Sequence, residues 1–173
     1  MNDYVAAILF FLPAGIANMS PVVANRIPWL NKWSTPIDFG HKRGGQRILG
    51  DNKTWRGIVV GTLFGGLTAV VISKLNANTV ATVAPFIVGS LLGFGALAGD
   101  ALESYFKRLR GVKPGDSWFP FDQLDYIVGA LVLTYPFVQV PLWAIVTILA
   151  VYFIMHIVIV YVFYKLGIRD KPI

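Results

Sequence analysis

The sequence predicts an all-α integral membrane protein with five transmembrane helices, the N-terminus outside and the C-terminus cytoplasmic. Three observations predict it. The first is composition: of 173 residues 55% are hydrophobic and 14% charged, with a mean hydropathy of +0.63. Soluble domains run at about 45–50% and about 25%. The second is distribution. Residues 4–25, 57–73, 75–99 and 126–164 contain no Asp, Glu, Lys or Arg, and a spanning helix needs about 17–25 mostly apolar residues. The third is asymmetry. All but one of the 15 basic residues fall in segment 26–56, segment 104–121 or the C-terminal tail. With five spans those three segments share one face, which the positive-inside rule makes cytoplasmic. Lys74 is the exception. An ordinary soluble domain, a long disordered chain and a large soluble domain on an anchor are all excluded. No cysteine is present, so thiolate metal sites and disulfides are excluded too.

The spans follow in order. The first is expected over residues 3–25, with Pro13 as a kink. A cleaved signal peptide would want a basic start, and Met1-Asn2-Asp3-Tyr4 has none. The second is expected over 57–75. Asn76-Ala77-Asn78-Thr79 reads as a loop, and a third span runs over 82–106. Pro136 and Pro141 divide the last apolar run into spans over 122–139 and 141–165. The cytoplasmic loops then cover about 26–56 and 107–121, and residues 1–173 form a single membrane domain. Gly57, Gly61 and Gly65 in the second span repeat every four residues, and Gly89, Gly93, Gly95 and Gly99 line the third. Such stripes let helices approach closely. Packing within one bundle and a homodimer interface both fit them.

The acidic residues carry the chemistry. Five of the nine lie close together: Asp100, Glu103, Asp116, Asp122 and Asp125. Asp100 ends a strongly apolar run at the inner membrane boundary, where an ionisable group faces a cavity or a partner. In a continued helix Asp100, Glu103, Ser104 and Lys107 share one face. Asp122 and Asp125 are three apart at the start of the next span. Helix capping accounts for one such Asp. Two on one face, with Asp100 at similar depth, suit a hard cation such as Mg²⁺, which takes oxygen ligands. The first loop ends Gly44-Gly45-Gln46-Arg47-Ile48-Leu49-Gly50-Asp51-Asn52-Lys53-Thr54-Trp55-Arg56-Gly57. Glycines and Lys-Thr at a helix mouth suggest a phosphate cradle, although the Walker spacing is absent. The composite is a metal-dependent enzyme joining a nucleotide phosphate to a lipid, at work on the bilayer and without nucleic acid as a partner.

These residues also carry a resemblance. Gly99-Asp100-Ala101-Leu102-Glu103-Ser104-Tyr105-Phe106-Lys107-Arg108, followed by Lys113, Pro120 and Asp122-Gln123-Leu124-Asp125, resembles the signature of the CDP-diglyceride synthetase family. The chain departs from it by lacking the family's H-G-G after the proline and by placing Gln123 where D-R-x-D has arginine. Leu12-Pro13-Ala14-Gly15-Ile16-Ala17-Asn18, Pro36-Ile37-Asp38-Phe39-Gly40, Gly50 to Gly57 and Lys113-Pro114-Gly115-Asp116-Ser117 resemble its archaeal branch, the CDP-archaeol synthases. The resemblance implies an Mg²⁺-dependent cytidylyltransferase that couples CTP to 2,3-bis-O-(geranylgeranyl)glycerol 1-phosphate, a prenylated glycerol phosphate lipid, and releases pyrophosphate. It implies Asp100, Asp122 and Asp125 as catalytic metal ligands. Lys113, Lys53, Arg56, Lys107 and Arg108 would hold phosphates, Asn52, Thr54 and Ser104 would add neutral contacts, and Asp38 and Asp116 would be additional site residues. Trp55 or Trp118 would stack on cytosine, although tryptophans also anchor at interfaces. A CTP-dependent polyprenol kinase and a small transporter using Asp100 stay open as alternatives. A CDP-alcohol phosphotransferase does not, because Tyr126 stands where its motif needs glycine.

Overall fold

The computed structural model describes residues 2–43, 46–50, 52–75, 84–113 and 116–167. The chain is helical: α1 (Asp3–Asn25), a short α2 (Pro28–Asn31), α3 (Trp55–Leu75), α4 (Pro85–Leu109), α5 (Phe121–Thr134) and α6 (Leu142–Lys165). Between α2 and α3 a two-residue ribbon pairs Lys42 with Arg47 and Arg43 with Gln46. The expected loop at 76–79 and the start of the third span at 82 lie outside the described residues, as do Arg169 and Lys171 of the basic tail. Four helices, α1, α3, α4 and α6, are long and apolar enough to cross a membrane. Their outward faces are greasy, with Leu67 on α3 and Ile154 on α6 more than half exposed. The protein is therefore a multi-pass membrane protein.

Each helix begins and ends for a local reason. The Asn2 side chain accepts from the Tyr4 N–H and opens α1. Pro21 inside α1 cannot donate to the Ala17 carbonyl. The Ser20 hydroxyl donates to it instead, at 2.7 Å, so no backbone acceptor is stranded. Thr54 caps α3 by accepting from the Gly57 N–H at 3.2 Å. The fourth expected span is shorter as a helix than 122–139. It has 14 residues and ends at Thr134, because Pro136 lacks the N–H that would continue the ladder. The chain turns there through hydrogen bonds from Phe137 and Val138 to the Thr134 carbonyl.

The glycine stripes are consumed inside the chain. A Cβ on Gly65 would lie 2.5 Å from the Gly89 carbonyl oxygen and 3.1 Å from the Gly93 Cα, so α3 and α4 cross almost backbone to backbone. Gly95, Gly99 and Gly129 bring α4 and α5 together in the same way. Around this pair the core is aromatic and aliphatic: Phe11, Leu92, Ile127, Ile148 and Tyr152 are fully buried. The α1 and α6 helices meet at one end only. Tyr4 packs edge-on to Trp143, Phe11 packs on Tyr152, and the Tyr152 hydroxyl donates to the Ile8 carbonyl at 2.7 Å. Farther along, from Leu12 and from Tyr152 onward, both helices line a cavity.

Candidate active site

That cavity has a volume of about 910 Å³ and is walled by α1, α3, α4, α5 and α6 and by the loops before α3 and α5. Its lining is charged toward the loops, α4 and α5, where Arg26, Lys53, Lys107 and Arg108 stand among five carboxylates, and largely apolar along α1 and α6. Asp100 and Glu103 reach it from α4, one turn apart, and Asp125 reaches it from one turn into α5. Oxygens of these three carboxylates all lie within 4.8 Å of one another. The Glu103 Oε1 is buried and makes no hydrogen bond. A cluster of hard oxygen donors with one unsatisfied atom fits a divalent cation.

Two lysines hold the cluster in register. The Lys53 Nζ donates to Asp100 Oδ2 at 2.5 Å, tying the first loop to α4. The Lys107 Nζ donates to Asp122 Oδ1 at 2.6 Å and stands 3.6 Å from Glu103 Oε1. Asp122 also accepts from the Trp118 N–H at 2.6 Å. Of the expected trio, Asp100 and Asp125 meet together with Glu103. Asp122 stands beside Glu103, in hydrogen-bonding contact with it, and holds Lys107 and the Trp118 N–H. Glu103 was legible as the i+3 neighbour of Asp100 on one face, but charge alone did not distinguish it from Asp122.

The other expected residues divide. Asn52, Ser104, Arg108 and Asp116 line the cavity. Arg108 is also anchored, its Nη1 donating to the Val112 carbonyl at 2.5 Å. Lys113 stands exposed on the loop before α5, outside the cavity lining. Thr54 lines the wall but its hydroxyl oxygen is the α3 cap. Arg56 departs furthest from the phosphate role. It is 4% exposed and donates to the Leu30 carbonyl at 3.0 Å, to Asn31 Oδ1 at 3.1 Å and to Asn25 Oδ1, so it clamps α3 to the end of α1 and to α2. Asp38 is a loop hub outside the cavity lining, behind Ile37 and Leu49, which do line it. Its carboxylate accepts from the Gly40 and Leu49 N–H groups and from the Arg47 guanidinium. Burial works against its charge, but those donors outweigh it and hold the carboxyl below its usual value. Trp55 lies against Phe39 and Trp118 against Phe121, with the Arg110 guanidinium 5.0 Å from the Trp118 ring centre. His156 sits beside Tyr126, ring centres 5.6 Å apart.

Comparison with known proteins decides the family. The family model described as CarS-like, CDP-archaeol synthase, matches residues 1–173. The chain belongs to the CDP-archaeol synthase family. It is 35% identical to the CDP-archaeol synthase of Halobacterium salinarum, over 99% of this chain and 98% of that one. It is 35% identical to that of Pyrococcus furiosus over 90% of each, and 37% identical to that of Thermofilum pendens over 96% of this chain and 79% of the other. A solved structure described as an intramembrane enzyme for archaeal membrane lipids biosynthesis superposes with a TM-score of 0.76 at 30% identity, covering 90% of this chain and 92% of that one. CDP-archaeol synthase membership makes the chain an enzyme, a cytidylyltransferase of archaeal lipid synthesis.

Proposed function

We propose that the enzyme joins CTP to 2,3-bis-O-(geranylgeranyl)glycerol 1-phosphate at this cavity, forming the unsaturated CDP-lipid and pyrophosphate with Mg²⁺. One observation carries the reading: a part-buried three-carboxylate cluster, flanked by Lys53 and Lys107, lies where a polar loop-lined chamber meets an apolar cleft between α1 and α6. A nucleotide suits the polar half and prenyl chains the apolar half.

An oxygen of the lipid phosphate attacks the α-phosphorus of CTP. The bond from that phosphorus to the bridging oxygen breaks, and pyrophosphate departs with the electron pair. The attacking oxygen is already anionic, so no general base is required. Such a transfer depends on positioning and charge neutralisation. Asp100, Glu103 and Asp125 would hold the cation, which when bound would supply charge neutralisation for the phosphate oxygens and the leaving group. Lys53 and Lys107 place positive charge on either side, and Arg108 adds a fork of donors at the rim. The basic face is cytoplasmic, α5 makes the fifth crossing, and the enzyme resides in the cell membrane.

The test uses CTP labelled at the α- or the γ-phosphate, Mg²⁺ and the prenylated glycerol phosphate in detergent. Cytidylyl transfer puts the α label and not the γ label into lipid. A lipid carrying the γ label would make the enzyme a kinase, and no labelled lipid would end both readings.

A further inference from the structure

The apolar half of the cavity contains a polar group with no present work. Its walls are formed by Leu12, Ile16, Met19 and Val22 from α1 and by Ile159 and Phe163 from α6. Four polar side chains interrupt them: Asn18, Tyr126, Tyr152 and His156. The Tyr126 hydroxyl donates to the Tyr152 carbonyl at 3.0 Å, and the Tyr152 hydroxyl donates to the Ile8 carbonyl. Both are spent on the fold. His156 packs on Tyr126 and has a partner as well. Among the described residues, the Asn18 side chain makes no hydrogen bond, unlike the Tyr126 and Tyr152 hydroxyls. An Asn inside a membrane helix ordinarily bonds to a neighbouring helix. Here the amide opens on the cavity.

Its depth is informative. Asn18 lies seven residues before the end of α1 at Asn25, and Asp100 lies nine before the end of α4 at Leu109. At about 1.5 Å per residue, both are roughly 10–14 Å in from the basic face. The amide thus stands near the level of the carboxylate cluster, on the α1 wall beside Ile16, Met19 and Val22, at the seam where the polar lining meets this apolar side. A lipid whose phosphate reaches the cluster and whose chains enter the cleft has its glycerol backbone at that seam. The two oxygens there that link the chains to glycerol accept hydrogen bonds and donate none.

We infer that Asn18 is the group that reads the lipid's linkage: its Nδ2 donates to an ether oxygen of the glycerol backbone and so selects a glycerol diether phosphate over a plain long-chain phosphate. The inference rests on the lipid-phosphate reading of the cavity. A site built to hydrogen-bond a substrate discriminates against an analogue lacking that atom. One neutral hydrogen bond is worth roughly 2–10-fold.

The test compares two acceptors, the diether glycerol phosphate and an isosteric analogue with methylenes in place of both ether oxygens. The wild-type enzyme should favour the diether by roughly 2–10-fold in kcat/KM. Asn18→Leu, or Asn18→Ala if the larger side chain impairs folding, should raise KM for the diether, erase the preference and leave KM for CTP unchanged. A variant that keeps the preference, or that changes KM for CTP alone, overturns the inference while leaving the cavity reading intact. A wild-type enzyme that makes no CDP-lipid from the diether overturns both.

Discussion

Arg56 and Lys53 stand three residues apart in one basic stretch, yet their surroundings give them different work. Lys53 reaches the carboxylate cluster, whereas Arg56 is buried against two amide side chains and the Leu30 carbonyl. Hydrogen bonds to a charged group contribute about 1.5–3 kcal/mol each. Arg56→Ala should therefore lower thermal stability in detergent, by about 3 kcal/mol or more, with KM for CTP nearly unchanged in the folded fraction. Lys53→Ala should do the reverse, and the two readouts together separate clamp from site. The carboxylates divide in the same manner. Outer-sphere partners of a metal cost about 10–100-fold when removed. Asp122→Asn, which disturbs Lys107 and the Trp118 turn, should fall in that range. Asp100→Asn, Glu103→Gln and Asp125→Asn should lose more, and should also abolish binding of Mn²⁺ followed by electron paramagnetic resonance. Equal losses across all four would return Asp122 to the cluster. That acidic side chains gather at one place was legible in the sequence, since a carboxylate at the end of an apolar run needs a partner or a cavity. Which three of five meet was not, because that depends on how α5 is rotated against α4.

At the scale of elements, glycine decides where α4 places its carboxylates. A Cβ on Gly99 would fall on the Asp125 carbonyl oxygen, so this glycine sets both the α4–α5 approach and the position of a cluster residue. Gly99→Ala should reduce activity while much of the fold survives. Gly65→Val, where the space is closed by the Gly89 backbone, should instead destabilise the α3–α4 pair and lower the yield of extractable protein. A dose series of Mn²⁺ distinguishes them: the folded Gly99 variant should bind the ion more weakly. The stripes themselves were readable as close-approach surfaces. Their destination was not, because four-residue spacing is identical for a partner in the same chain and one in another. The loops were least readable. Gly-rich, Lys-Thr sequence suggested a phosphate cradle, but Thr54 is used as a helix cap and Asp38 as a hub, through contacts with residues up to 11 positions away. Asp38 carries a pH consequence. Its lowered value means that its support for the loop is complete above the ordinary aspartate value of 3.8 and is lost only as pH falls through the folded value. Proteolytic nicking near residues 38–50 should thus stay low down to about pH 4 and rise below it.

For the whole molecule, charge and geometry agree on one active end. Lys53, Lys107 and Lys165 lie at helix ends or loops belonging to the basic segments, and the first two line the cavity. The number of crossings turns on α5. Its 14 residues measure about 21 Å, short of a bilayer core of about 30 Å. Residues 135–141 follow before α6 begins, and α6, with 24 residues, spans about 36 Å on its own. The α5 helix runs beside α4 with Asp125 against Gly99 and Gly129 against Gly95. It therefore climbs away from the basic face as α4 descends toward it, and the short helix with its seven-residue extension has the reach to finish the crossing. If so, α6 starts on the far side and returns Lys165 to the basic side. The chain has no cysteine, so single cysteines report cleanly. In sealed vesicles, cysteines at Asn2 and Leu142 should label from one side, and cysteines at Ser117 and Leu166 from the other. Leu142 labelling together with Ser117 would mean that α5 is re-entrant, which would leave four crossings and strand Lys165 on the face opposite the cluster.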